Sequence, residues 1–101
     1  MIQPFPKKRH GLSRDEAEKL AISALGFLAG EEHRLAAFLH LTGLSPADLR
    51  REAGTPEFLA GVLDFIAADE SLLLVFATEQ RIDPMQVMTA RQTLMPDGSD
   101  Y

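Results

Sequence analysis

The 101-residue chain has no cysteine. Disulfides, thiolate zinc sites, iron–sulfur clusters and a cysteine nucleophile are thereby excluded, and a reducing compartment is compatible with the composition. Long apolar runs are missing as well. The longest stretch without an ionisable side chain, Leu20 to Gly30, holds eleven residues, about half of what a helix needs to cross a bilayer. No membrane-spanning segment and no membrane partner are expected. No segment alternates apolar and polar residues for long, so strands are not expected either. Gly26, Gly30, Gly43, Gly54 and Gly61 are scattered through separate helical stretches and form no phosphate-cradling loop. No cofactor and no metal site are expected. The order "KKRH" then "LAISALGFLAG" mimics a signal peptide, but Arg14, Asp15, Glu16, Glu18 and Lys19 intervene. That breaks the required order of regions, and a cytoplasmic location is the expectation.

What is present is an uneven charge. Lys7, Lys8 and Arg9 give residues 1–12 a charge of +3, and the formal total of −5 leaves −8 on residues 13–101. A body of that sign repels a phosphate backbone and an anionic lipid surface, so nucleic acid is not expected as the main partner. With 46% apolar residues, a chain of this length buries about two thirds of its unfolded surface on folding. Residues 1–12, with two prolines and no period, read as a flexible basic tail. Residues 13–95 read as a single helical domain, and residues 96–101 as a flexible acidic tail.

Within the domain, capping signals divide the helices. Ser13 with Glu16 makes a capping box, in which each residue satisfies a backbone N–H of the other. Ala17, Leu20, Ala21, Ala24, Phe27 and Leu28 then share one face, and Gly30 ends the helix. A second helix over about Glu31 to Leu41 turns Leu35, Phe38 and Leu39 inward and ends at Gly43. Ser45-Pro46 starts a two-turn helix closed by Gly54, because proline at the first helical position lacks only an N–H that would be unpaired anyway. Thr55-Pro56 starts a fourth, amphipathic helix to about Ala68, with Phe58, Leu59, Val62, Leu63, Phe65 and Ile66 on its broad face. A fifth opens at Asp69 or Glu70. Its Leu72 to Phe76 run is apolar all round, which predicts a central position with no solvated side. Asp83-Pro84 starts the sixth, with Gln86 in the capping-box position and Pro96 as its stop. An echo at an offset of 38 residues matches Phe38, Leu44, Pro46 and Leu49 to Phe76, Ile82, Pro84 and Val87, which reads as a shared way to turn a helical corner.

The candidate motifs have simpler readings. Gly43-Leu44-Ser45-Pro46-Ala47 resembles a serine-nucleophile elbow, yet Pro46 lacks the N–H that an oxyanion hole needs and Ala47 stands where the last glycine belongs. No catalytic residue is assigned. Helices two and three have the order of a helix-turn-helix, with Arg50 and Arg51 facing a groove and Lys7, Lys8 and Arg9 in support. Asp48 and Glu52 balance those arginines within the same short helix. His33 and His40 are seven residues apart, a poor spacing for one metal ion, where three or four is usual. The pairs Glu31-Glu32 and Asp69-Glu70 sit at helix starts, where negative charge is favoured. Arg91 lies beside the stripe of Val87, Met88, Leu94 and Met95, which implies either a snorkelling arginine or one paired with an acid such as Asp64 or Glu79. Met85, Met88 and Met95 suit either an adaptable contact surface or gaps in the core, and the core is the preferred reading.

The run from "SRDEAEKLAISALGFLAG" through "LTGLSPADLRREAGTPEFLAGVLDFIAADESLLLVFA" to "IDPMQVMTARQTL" resembles a family of small bacterial proteins known only as a domain of unknown function. The resemblance implies a compact helical protein without an assigned activity, cofactor or catalytic residue. Together the readings give an all-α bundle of five or six short helices around a central apolar helix. The expected function is non-catalytic, a helical module that binds a protein partner or itself. A nucleic-acid-binding regulator using Arg50, Arg51, Lys7, Lys8 and Arg9 is the alternative.

Overall fold

Most helix starts among the described residues are fixed by side chains that take up otherwise unpaired N–H groups. A computed structural model describes residues 12–96, so the expectations for both tails fall outside the described residues, apart from Leu12 and Pro96. Six helices follow in order: α1 (Arg14–Ala29), α2 (Glu32–Thr42), α3 (Pro46–Glu52), α4 (Pro56–Ala67), α5 (Glu70–Gln80) and α6 (Met85–Leu94). Both halves of the α1 capping box are made: Ser13 Oγ accepts from the Glu16 N–H at 3.0 Å and the Ser13 N–H donates to Glu16 Oε1 at 2.8 Å. Ser45 caps α3, Thr55 caps α4 and Asp69 caps α5. No strand occurs among the described residues.

Two starts and stops differ from the expectation. The Asp83 carboxylate accepts from the Met85 N–H at 2.9 Å, while the Gln86 N–H donates to the Asp83 carbonyl. The two-residue reach replaces the capping box, and α6 begins at Met85. At its other end α3 closes on Ala53 in a right-handed conformation, with no left-handed glycine at position 54.

The core is made by three helices, α1, α4 and α6, each packed on the other two. α1 contributes Ala17, Ala21, Ala24, Phe27 and Leu28, and α6 contributes Val87, Ala90 and Leu94. Both lie against α4, whose Phe58, Leu59, Ala60, Val62, Leu63 and Ile66 are all buried. Small alanines on α1 and α6 let the axes approach closely, since interaxial distance follows side-chain size at the contact. α2 is laid on α1, and α5 on α4.

The central helix is therefore α4, not α5. Of the Leu72 to Phe76 run only Phe76 is buried, Leu72 and Leu73 are half-buried, and Leu74 and Val75 are exposed. Surrounding a helix on every side requires neighbours on every side. Six short helices provide that once, and α4 already uses α1, α5 and α6. The methionine expectation fails in the same way: Met85 and Met88 are exposed, and only Met95 touches the core. They sit on the α6 face opposite Val87, Ala90 and Leu94.

The echo at offset 38 is structural. Gly43 and Arg81, 38 residues apart, are the two described residues with positive φ, 77° and 58°. Each ends a helix that carries a buried phenylalanine, Phe38 or Phe76, and each precedes a half-buried apolar residue, Leu44 or Ile82. At the second corner the Ile82 N–H reaches the Ala77 carbonyl at 3.0 Å, the six-to-one bond that closes a helix through a left-handed residue. Arg81 has a Cβ in a conformation that costs about 1–2 kcal/mol for most L residues. Arg81→Gly is accordingly expected to stabilise the chain by about 0.5–1 kcal/mol, net of glycine's larger unfolded-state entropy. Urea titration of both forms checks this, and a lower midpoint for the glycine form would contradict it.

Candidate functional site

Phe58, Gly61 and Phe65 fall at spacing i, i+3 and i+7, which places them on one face of α4. That face looks towards α2. The Phe38 ring of α2 meets both phenylalanines edge to face, with centroids 5.8 Å from Phe58 and 5.3 Å from Phe65 and interplanar angles of 85° and 81°. Gly61 lies between the two rings and has no side chain to fill the gap. A Cβ placed there would meet nothing within 4 Å.

The surface sinks on either side of Phe38 and Gly61. One side is a hollow of about 400 Å³ walled by Leu41, Thr42, Asp64, Phe65, Ala68 and Asp69. The other, of about 270 Å³, is walled by Thr42, Leu44, Glu52, Glu57 and Phe58. Both share Phe38, Thr42 and Gly61, so they form one groove between α2 and α4. Its floor is aromatic and its rim is acidic. Leu41, 70% exposed, is the most exposed large apolar residue described and stands on its edge. A third hollow of about 290 Å³ between α1 and α6 has a mixed wall of Leu12, Glu16, Lys19, Leu20, Ser23, Ile82 and Gln86.

The rim charges have distinct duties. Asp64 accepts from Arg91 Nε at 3.0 Å, so of the two pairings expected for Arg91 the structure selects Asp64 over Glu79. Arg91 also donates to the Met95 carbonyl. The pair is part-exposed and ties α4 to α6, a setting in which ion pairs contribute about 0–1 kcal/mol. Asp69 accepts from the Leu72 N–H. Glu52 and Glu57 form no ion pair among the described residues. Among the described residues no cation walls either hollow, and Arg91 reaches the rim only through Asp64.

The other candidates are not drawn into a site. Arg50 and Arg51 are exposed on α3, which buries no residue, and the Arg51 guanidinium is held by Asp48 three residues earlier. Lys7, Lys8 and Arg9 lie outside the described residues. His33 and His40 are exposed on α2, and among the described residues no three metal-ligating side chains converge. Arg34, on the same helix, lies 4.2 Å above the centroid of the Phe27 ring.

Asp48 has a perturbed titration. Its carboxylate accepts the Ser45 N–H, the largest influence on it, and is also drawn by the Ser45 hydroxyl and by Arg51, so its pKa lies below the ordinary aspartate range. A depressed folded-state pKa adds stability above the unfolded-state value, which is lost as pH falls through the folded value. The loss of the α3 cap is thus expected only below the range where ordinary aspartates protonate. Carboxyl-carbon NMR titration should give Asp48 a lower midpoint than an unpaired aspartate, moving upward in Ser45→Ala. An unmoved midpoint would assign the shift elsewhere.

Six helices among the described residues, three of them packed on one another as the core and two laid on its outside, define a small all-α bundle. No described helix is long and apolar enough to cross a membrane. Residues 14–97 match the model of the family described as "Protein of unknown function (DUF3572)", and the chain belongs to that family. Neither the curated proteins nor the solved structures contain a match.

Proposed function

We propose that the chain is a non-catalytic helical interaction module whose docking surface is the α2–α4 groove. Its partner is a protein segment that carries an aromatic or aliphatic side chain flanked by lysine or arginine. The observation that supports this reading is the pairing of an aromatic floor with an acidic rim. The floor supplies the apolar contact that dominates affinity at interfaces, and the rim selects and steers a basic partner. Leu41, exposed on the edge, adds apolar area that burial would make favourable.

Gly61 provides the test, because a Cβ added there meets nothing within 4 Å and a side chain built on it enters the groove. The full chain and its Gly61→Leu form are to be used as bait in extract of the source cell, with captured proteins identified by mass spectrometry. Proteins captured by the parent and lost with Gly61→Leu are expected to present basic, apolar segments. Identical captures by the two baits would refute the groove as the docking surface.

A further inference from the structure

We infer that the outer face of α5 is a self-association surface, on which a second copy of this chain docks antiparallel across a two-fold axis between Leu74 and Val75. The surface is separate from the α2–α4 groove. Its occupant is set by the charges that flank it.

α5 is laid on α4 through one side only. Phe76 and Ala77 are buried on that side, and the Phe76 ring also meets the Phe27 ring of α1 at 5.2 Å. The other side carries Ser71, Leu74, Val75 and Thr78, all exposed and all uncharged. Their spacing of i, i+3, i+4 and i+7 places them in one stripe. The two large apolar side chains at its middle, Leu74 and Val75, remain in water, and covering them with another apolar surface is favourable.

Glu70 and Arg81 flank the stripe, both exposed and neither in an ion pair among the described residues. Arg81 is set apart by its backbone as well. It closes α5 at φ 58°, a conformation that glycine adopts at lower cost, and its guanidinium gains no compensating contact within the described chain. An acid and a cation left open beside one apolar stripe are complementary to the same stripe on another copy.

Helical geometry selects the arrangement. Glu70 and Arg81 are eleven residues apart, which is three turns to within about 20°, so they share a flank of the stripe. A two-fold axis perpendicular to the helix makes equal flanks face each other, and every contact it creates is made twice. Ser71 then faces Thr78, and Leu74 faces Val75. Glu70 and the second copy's Arg81 differ in height by two residues, about 3 Å, which an arginine side chain spans. Glu79 lies on the opposite flank, across from Ala68 and Leu72, so like charges do not meet. A parallel pairing would pair Arg81 with Glu79, leave Glu70 without a cation and set equal ends of the two helix dipoles side by side. One face of about three turns from each copy buries less than the roughly 1,200 Å² of a stable complex, so the dimer is weak, with a Kd on the order of 0.1–1 mM. At the micromolar concentrations of denaturation experiments the chain is a monomer.

Sedimentation equilibrium of the full chain from about 10 µM to about 2 mM tests the surface. The average mass is expected to rise from 11.1 kDa toward twice that value. Leu74→Lys, Glu70→Arg and Arg81→Glu should each raise Kd about tenfold or more with unchanged helical circular dichroism. A mixture of the Glu70→Arg and Arg81→Glu chains should associate like the parent, because each supplies at both contacts the charge that the other has lost. Arg81→Gly should separate the two roles of that position by weakening association while stabilising the monomer. A strict monomer at the highest concentration would overturn the inference, as would association that ignores Leu74→Lys or a mixture no stronger than its components. Rescue of Arg81→Glu by Glu79→Arg instead of Glu70→Arg would make the pairing parallel and overturn the antiparallel arrangement. Association lost only in Gly61→Leu would move the contact to the α2–α4 groove.

Discussion

Leu63→Ala is expected to lower the unfolding free energy by about 2–5 kcal/mol, the range for truncating a fully buried leucine. For a domain of this size that is a fall of roughly 8 °C or more in melting temperature. Leu74→Lys is expected to cost less than about 1 kcal/mol, because half of that side chain is already in water and lysine is a good helix former. Leu63 is completely buried at the centre of α4 and Leu74 is 49% exposed on α5. The pair separates two architectures. If the all-apolar α5 were the middle of the bundle, a lysine at position 74 would be an unpaired buried charge and the chain would not fold. Thermal and urea denaturation of the two variants decides the matter, and a Leu74→Lys form less stable than Leu63→Ala would reverse the assignment of the central helix.

Phe38→Ala should be the second severe substitution, at about 3–5 kcal/mol. Phe38 is 1% exposed and is the one buried residue of α2. It makes edge-to-face contacts with both Phe58 and Phe65, and such pairs contribute about 0.5–1.5 kcal/mol each beyond area burial. Without it α2 keeps only the half-buried Leu35 and Leu39 as inward anchors. Amide exchange should show α2 opening first, ahead of α1 and α4. A loss below about 1 kcal/mol with unchanged exchange in α2 would mean that this ring does not hold the helix.

Much of the local structure was legible because it is set by neighbours in sequence. The Ser13–Glu16 capping box and the Ser45-Pro46 and Thr55-Pro56 starts each involve side chains three residues from the backbone they satisfy, and the stop at Gly43 is a backbone bond to the Leu39 carbonyl four residues back. The inward faces of α1 and α4 were legible for a related reason. A 3.6-residue period shows which side of a helix is apolar, whatever that side later meets. Even the repeated corner at Gly43 and Arg81 was foreshadowed by the echo, although only Gly43 displays the residue type that its backbone favours.

The groove was legible only in part. Phe58, Gly61 and Phe65 share a face by spacing alone, and a glycine between two phenylalanines marks a missing side chain on an otherwise filled stripe. That Phe38 lies opposite, and that Leu41, Glu52 and Asp69 complete the walls, depends on how α2 crosses α4. The choice of Asp64 for Arg91 spans 27 residues and depends likewise on the packing of α4 on α6.

By itself the sequence determined an all-helical domain, most of the places where its helices begin and end, and the apolar side of each amphipathic one. Those are short-range matters of N–H satisfaction and helical period. Tertiary structure alone decided that α4 and not α5 is surrounded, that Met85 and Met88 face outward, and that an acid-rimmed aromatic groove opens between α2 and α4. An apolar residue gains from losing water whichever neighbour covers it. Hydrophobicity therefore says what would be favourable to bury, and the limited number of neighbours in a small bundle selects what is buried.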